Sequence, residues 1–131
     1  MSMDKGTSIG RVRGLGSAHE GTGHWLHQRI TAGSNLLLML WFVLSLARLP
    51  GYDYATVAGW LHSPWAAIPM ILLVVSVFYH FRLGLQVVIE DYEKDATRIA
   101  LLVLLNFFTV AAAAIAIFSI LSIAFTTGAA A

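Results

Sequence analysis

No cysteine occurs in this 131-residue chain. Disulfides, thiolate metal sites and iron–sulfur ligation by the chain itself are thereby excluded, while the redox compartment stays open. Charge is scarce as well: 11% of residues are charged against 58% hydrophobic. A water-soluble domain of this length needs a more charged surface, so the solvent for most of the chain is membrane lipid. A formal net charge of +1 provides no basic field for a phosphate backbone, which excludes nucleic acid as a partner. The length allows one domain rather than two. The first two dozen residues are polar and glycine-rich and lack the apolar core of a secretion signal, so no cleavage is expected. They are also shorter and poorer in Arg and Ser than an organellar transit peptide, which points to a bacterial source.

What the chain has instead is long apolar runs. One extends from Ile30 to about Ala47, a second from about Trp65 to Ile89, broken only by His80 and Arg82, and a third from Ile99 to about Phe125. At about 1.5 Å per residue each can cross a hydrocarbon core of roughly 30 Å. The expected fold is an all-α membrane protein with three transmembrane helices, spanning about 29–48, 65–90 and 98–125. Residues 1–23 are expected to form a polar cytoplasmic arm and 24–131 the anchor domain. Between the first two spans, Pro50-Gly51 reads as a helix stop and Ser63-Pro64 as a helix start. That link has no Lys or Arg, nor has the tail after Phe125, whereas Lys5, Arg11, Arg13 and Arg29 precede the first span and Lys94 and Arg98 join the second to the third. Cytoplasmic segments carry the Lys/Arg excess, so the N-terminus is expected in the cytoplasm and the C-terminus in the periplasm of a bacterial inner membrane. Trp25, Trp41, Trp60 and Trp65 mostly lie near segment ends, as interfacial aromatics do, and Ala111 to Ala114 reads as a close-packing face.

The second span carries the chemistry. At about 100° per residue, His80, Gly84, Val87 and Asp91 fall along one stripe. Counting back from Ile89, the imidazole lies roughly 13 Å from the cytoplasmic edge. A histidine at that depth is costly and is usually retained for a ligand, an ion path or a partner. Gly84, one turn on, removes the side chain with which a flat, bulky group would collide, and the pair suits a porphyrin whose iron takes an axial imidazole. The plainer reading stands beside it: a lone transmembrane His often bonds to a neighbouring helix, and Gly often marks helix packing. No second histidine lies deep in a span, since His24 and His27 open the first and His19 and His62 are outside. A pair of axial histidines would therefore need a partner subunit.

Arg82 lies about 200° from His80 and is expected to snorkel to the headgroups or to meet a partner carboxylate. Arg29 is a candidate for an anion at the inner surface, either a lipid phosphate or a cofactor carboxylate. Ser34 and Asn35 are expected to bond to neighbouring helices. Glu90-Asp91-Tyr92-Glu93-Lys94-Asp95 closes the second span as a solvated cap, or as a site where the Tyr92 phenol donates to a carbonyl of a lipid-soluble substrate beside the Asp91 carboxylate.

Two motifs in this order, His24-Trp25-Leu26-His27-Gln28-Arg29-Ile30-Thr31-Ala32 (H-W-x-x-Q-R-x-T-A) and His80 through Gly84 and Val88 to Asp91-Tyr92 (H-x-x-x-G-x-x-x-V-x-x-D-Y), make the chain resemble the D-type hydrophobic membrane anchor of succinate dehydrogenase, respiratory complex II. The resemblance covers nearly everything past the N-terminal arm. It implies that His80 is one axial ligand of a haem b shared with a C-type anchor subunit. It further implies that Tyr92, next to Asp91, helps form a ubiquinone pocket beside the iron–sulfur subunit, and that Arg29 lies near the haem propionates and that pocket. A flavoprotein subunit would complete the assembly on the cytoplasmic face. The Ser-Pro-His signature of the C-type subunit is absent, which favours the D type. The rival readings are a haem-free structural anchor of another respiratory complex and a small proton channel or transporter using His80 and Arg82.

Overall fold

The computed structural model describes residues 21–126. Lys5, Arg11, Arg13 and His19 of the expected arm lie outside the described residues. Four helices follow in order: α1 Gly21–Ala47, α2 Tyr54–Leu61, α3 Pro64–Tyr92 and α4 Asp95–Phe125. Three of them, α1, α3 and α4, are long and apolar enough to cross a membrane, and with α2 they make an all-α bundle. The helix α1 begins well before the apolar run that announced it. Its first turns are the polar stretch Gly21 to Arg29, so hydropathy located the span but not the helix.

The middle helix of the bundle is α3. Both α1 and α4 pack on it, and neither packs on the other. Accordingly α3 holds most of the buried apolar residues: Ala66, Ala67, Leu73, Leu83 and Ile89. Ser63 and Pro64 open it as expected, with Pro64 in the first turn, where its missing N–H would have been unpaired anyway. Pro69, in the second turn, removes the N–H that the Trp65 carbonyl would have received. At the other end, the Glu93 N–H closes on the Ile89 carbonyl at 2.9 Å, and only Glu93 and Lys94 separate α3 from α4. Asp95 begins α4 at φ 55°, a left-handed conformation that Asp tolerates better than most residues.

The short helix α2 was not anticipated. Asp53 caps it, accepting from the Thr56 N–H at 3.1 Å and the Thr56 hydroxyl at 2.7 Å. Those two bonds, the hydroxyl first, hold the Asp53 carboxyl below its ordinary range. The signal was present as a capping Asp followed by apolar Tyr54, Val57, Ala58 and Leu61 at helical spacing. Leu61 is buried with Ala67 of α3 and Ile120 of α4, ringed by Val57, Trp60, Ile71 and Ile123. Trp60 stacks on Trp41 of α1 with ring centres 5.9 Å apart. The helix α2 thus plugs the end of the bundle opposite Tyr92.

On α4 the buried residues are Leu105, Thr109 and Ile120. The expected alanine face is divided: Ala112 and Ala113 are half-buried, while Ala111 and Ala114 are exposed. The packing seam follows helical spacing, and a run of four consecutive residues cannot stay on one side of a helix.

Candidate functional site

Where α1 crosses α3, two polar side chains meet. The Oγ1 of Thr31 lies 2.9 Å from Nδ1 of His80. Thr31 is buried and His80 half-buried. The same oxygen lies 2.8 Å from the His27 carbonyl and 3.1 Å from the Gln28 carbonyl, one turn back on its own helix. Both ring sides of His80 are thus distinguishable: Nδ1 is engaged by α1, and Nε2 has no hydrogen-bond partner among the described residues.

One turn further along α3 is Gly84. A Cβ built there would meet Nε2 of Gln28 at 3.7 Å and nothing else within 4 Å. That is an ordinary contact, so helix packing by itself does not demand glycine at this position. The stripe of His80 and Gly84 therefore faces the first turns of α1, and the two contacts together set the antiparallel register: Thr31 opposite His80, Gln28 opposite Gly84, and His24 level with Val87 and Val88.

This register changes the depth of the first motif. By the apolar run of α3, residues 81–88 lie within hydrocarbon. Their neighbours on α1 include His24, His27, Gln28 and Arg29. A polar helical segment at that depth needs protein, water or a cofactor against it, because lipid offers its side chains nothing to bond. His24 makes the point: its Nε2 is buried without a partner, as are Oδ1 of Asn35 and Oγ of Ser76. The Asn35 Oδ1 thus makes no bond to a neighbouring helix among the described residues. A bond between α1 and α3 comes instead from Thr31, a residue that stood in the motif with no role attached.

A second polar contact lies beside the first. The Tyr79 hydroxyl is 3.1 Å from Nδ1 of His27, with the two rings tilted and 6.1 Å apart. Thr31, Ser34, Ser76 and Tyr79 share a groove of about 310 Å³ between α1 and α3. Arg29 is exposed, its guanidinium carbon 5.1 Å above the Trp25 ring. It sits two residues from Thr31, about 3 Å along α1 and about 200° around it, and about 15 Å along the bundle from Tyr92, taking about 1.5 Å per residue. By backbone register Arg29 lies nearer the level of His80 than that of Tyr92.

Arg82 does not snorkel. Its Nε donates to the Asn106 side-chain carbonyl of α4, and the Asn106 amide donates in turn to the Leu102 carbonyl at 2.8 Å. This is a third polar tie between helices, on the opposite side of α3 from His80, where about 200° of helical rotation puts it. Near it, Phe81, Leu85, Ile89, Leu101 and Phe108 line an open apolar groove of about 360 Å³ between α3 and α4.

Asp91 and Tyr92 are exposed, Tyr92 to 83%. Neither groove reaches them. Gln86 donates to Glu90 at 2.8 Å, and the last turn of α3 carries no basic residue. Carboxylates at the negative end of a helix dipole are unfavourably placed, so Glu90 and Asp91 do not serve as a stabilising cap. Among the described residues no group of three His, Cys, Asp or Glu side chains could hold a bare metal ion. His80 alone can act only as one ligand among several supplied from elsewhere.

Residues 3–126 match the family described as succinate dehydrogenase/fumarate reductase transmembrane subunit. The chain is 34% identical over 122 residues to the succinate dehydrogenase hydrophobic membrane anchor subunit of Rickettsia bellii, covering 90% of this chain and 98% of that one. It is 31% identical over 109 residues to the subunit of the same description from Paracoccus denitrificans, covering 83% and 84% of the two chains. The corresponding Rickettsia conorii subunit is 31% identical over 123 residues, covering 90% and 98%.

Proposed function

This chain belongs to the succinate dehydrogenase/fumarate reductase transmembrane-subunit family, and from that membership we propose that it is the D-type anchor of a succinate dehydrogenase, holding one side of a haem b and part of a ubiquinone site. It is a multi-pass protein of a bacterial inner membrane, and its role is to anchor the quinone-reducing subunits. The proposed partners are a C-type anchor subunit in the membrane, with an iron–sulfur subunit and a flavoprotein subunit docked at the Tyr92 end. The Lys/Arg distribution supports placing that end, the arm 1–23 and the N-terminus in the cytoplasm, and the C-terminus in the periplasm.

The observation that carries the proposal is the state of His80. Its Nδ1 is held by α1 at 2.9 Å while Nε2 has no partner among the described residues, which is the condition of an imidazole ready to ligate. The residues around it fit a porphyrin: Gly84 leaves the adjacent turn free of a side chain that packing does not forbid, and Arg29, two residues from Thr31 and exposed on another face of α1, would offer a guanidinium to a propionate at a similar depth. A porphyrin iron brings its own four nitrogens, so one imidazole from each anchor subunit completes the set. When bound, the haem supplies a one-electron redox centre within the membrane.

The chain's own residues bind and orient. His80 would hold the iron from the α3 side through Nε2. Arg29, exposed on α1, would present its guanidinium toward the space that haem and C-type subunit would fill. Tyr92, fully presented at the membrane surface, would donate its phenolic proton as a hydrogen bond to a quinone carbonyl, with Asp91 beside it to orient or relay a proton. The pocket for that quinone must be completed by other subunits, since this chain leaves Tyr92 open.

Purifying the complex in mild detergent and identifying its companions tests the assembly: a homo-oligomer without soluble partners is the outcome a proton channel predicts and this proposal does not survive. On the same material a pyridine haemochrome assay should show haem b, and His80→Ala should abolish it. Absence of haem b, or its full retention in the variant, would leave only the structural anchor.

A further inference from the structure

We propose that Thr31 is a positioning residue for His80: its hydroxyl selects the imidazole tautomer that leaves Nε2 unprotonated, and so sets how strongly that nitrogen donates to iron. The inference rests on the reading of His80 as a haem ligand and extends it to a residue on another helix.

The argument is a count of protons. A threonine hydroxyl has one hydrogen to give and lone pairs to receive. Around Oγ1 of Thr31 are three polar atoms: the His27 carbonyl at 2.8 Å, the Gln28 carbonyl at 3.1 Å and Nδ1 of His80 at 2.9 Å. The two carbonyl oxygens can only accept. Were the hydroxyl proton turned toward Nδ1, Oγ1 would face two carbonyl oxygens with no hydrogen between them. With the proton shared between the carbonyls, Oγ1 offers its lone pair to the ring, and Nδ1 must carry the hydrogen. A neutral imidazole has one N–H, so Nε2 is the bare nitrogen.

Two features make the arrangement fixed rather than incidental. Thr31 is buried, so water does not compete for the hydroxyl. Threonine is branched at Cβ and takes few rotamers within a helix, where its hydroxyl bonds back to the preceding turn. The bond therefore runs from the α1 backbone through a stiff side chain to the ring on α3. Outer hydrogen-bond partners of ligating histidines fix ring orientation and raise ligand basicity, and their loss typically costs about 10–100-fold in metal affinity.

The test uses the complete complex carrying Thr31→Val, Thr31→Ala, Thr31→Ser or His80→Ala. The readouts are haem content, the midpoint potential of the haem by redox titration, and the electron paramagnetic resonance of the ferric state. Val is nearly isosteric but cannot accept from Nδ1–H. Thr31→Val should raise the midpoint potential, because a weaker donor stabilises the ferric state less, alter the ferric spectrum, and lower haem affinity about tenfold. Thr31→Ala should move the potential in the same direction, and decides the matter if the Val variant fails to assemble. Thr31→Ser, which keeps the oxygen, should restore the parental potential. A parental potential and spectrum in the assembled Val or Ala variant overturns the inference, as does a Ser variant that behaves like Val. If His80→Ala loses haem while those variants stay parental, only Thr31's role falls. If His80→Ala keeps its haem, the ligand reading falls and this inference with it.

Discussion

The two ends of this bundle are built on different principles. At the α2 end, Leu61, Ala67 and Ile120 form an apolar knot contributed by three helices, Trp60 stacks on Trp41, and Asp53 supplies a complete cap. From mid-span toward the Tyr92 end Leu83, Ile89 and Leu105 are still buried, but the helices are tied by polar groups as well: Thr31 to His80, Tyr79 to His27, and Arg82 to Asn106. Several of the groups along that half are unfinished, with His24 Nε2 orphaned, carboxylates at the disfavoured end of α3, and Tyr92 standing clear. The α2 end completes itself, while the other end leaves polar groups open, as the proposed assembly with other subunits requires. Lipid explains the difference, because apolar side chains facing it need no partner, whereas polar ones at that depth are tolerated only where something else covers them.

The comparison can be broken at either end. The largest effect is expected from Leu61→Ala, which opens a cavity in the apolar knot and should cost about 2–5 kcal/mol. Thermal unfolding of the complex should fall accordingly while haem content per folded complex stays parental. A loss of haem would mean that the two ends are not independent. Next, Asn106→Leu leaves Arg82 Nε without its acceptor and should cost about 1–3 kcal/mol. The double variant Arg82→Leu/Asn106→Leu should recover much of that, and an additive loss would show that the pair does not act as a unit.

A smaller effect is expected from Tyr92→Phe. Quinone reduction should fall about tenfold, about 1.4 kcal/mol in the barrier, while succinate oxidation with a soluble artificial acceptor stays intact. Equal loss of both activities would indicate misassembly rather than a lost hydrogen bond. The smallest effect belongs to Asp53→Ala, which removes the α2 cap. Because the folded carboxyl is held below its ordinary value of 3.8, its stabilising contribution is present above that value and is lost as pH falls through the lowered one. The variant should therefore melt slightly earlier than the parent at neutral pH, and the difference should close in strong acid. A difference that persists there would mean that the side chain acts by packing and not by charge.

Much of the fold was legible in the sequence because hydropathy is a property of each segment taken alone. Ile30–Ala47, Trp65–Ile89 and Ile99–Phe125 needed no partner to be recognised as spans. The short α2 was missed because eight residues between two helix-breaking signals carry little periodic weight, although its cap was written in Asp53 and Thr56. His80 stood out by cost, as an imidazole in hydrocarbon. Thr31 did not, because a threonine near the start of a span is unremarkable until its neighbour is known.

By itself, then, the sequence determined which stretches prefer lipid, how many times the chain crosses, and which few residues are too polar to be there without reason. Each of these follows from the transfer free energy of individual side chains, which does not depend on what lies across from them. Only the tertiary structure decided that Thr31 meets His80, that Arg82 finds Asn106, and that the polar first turns of α1 lie level with the second half of α3. Those are questions of register between helices, and register is set by how two surfaces interlock along their whole length, which no single segment contains.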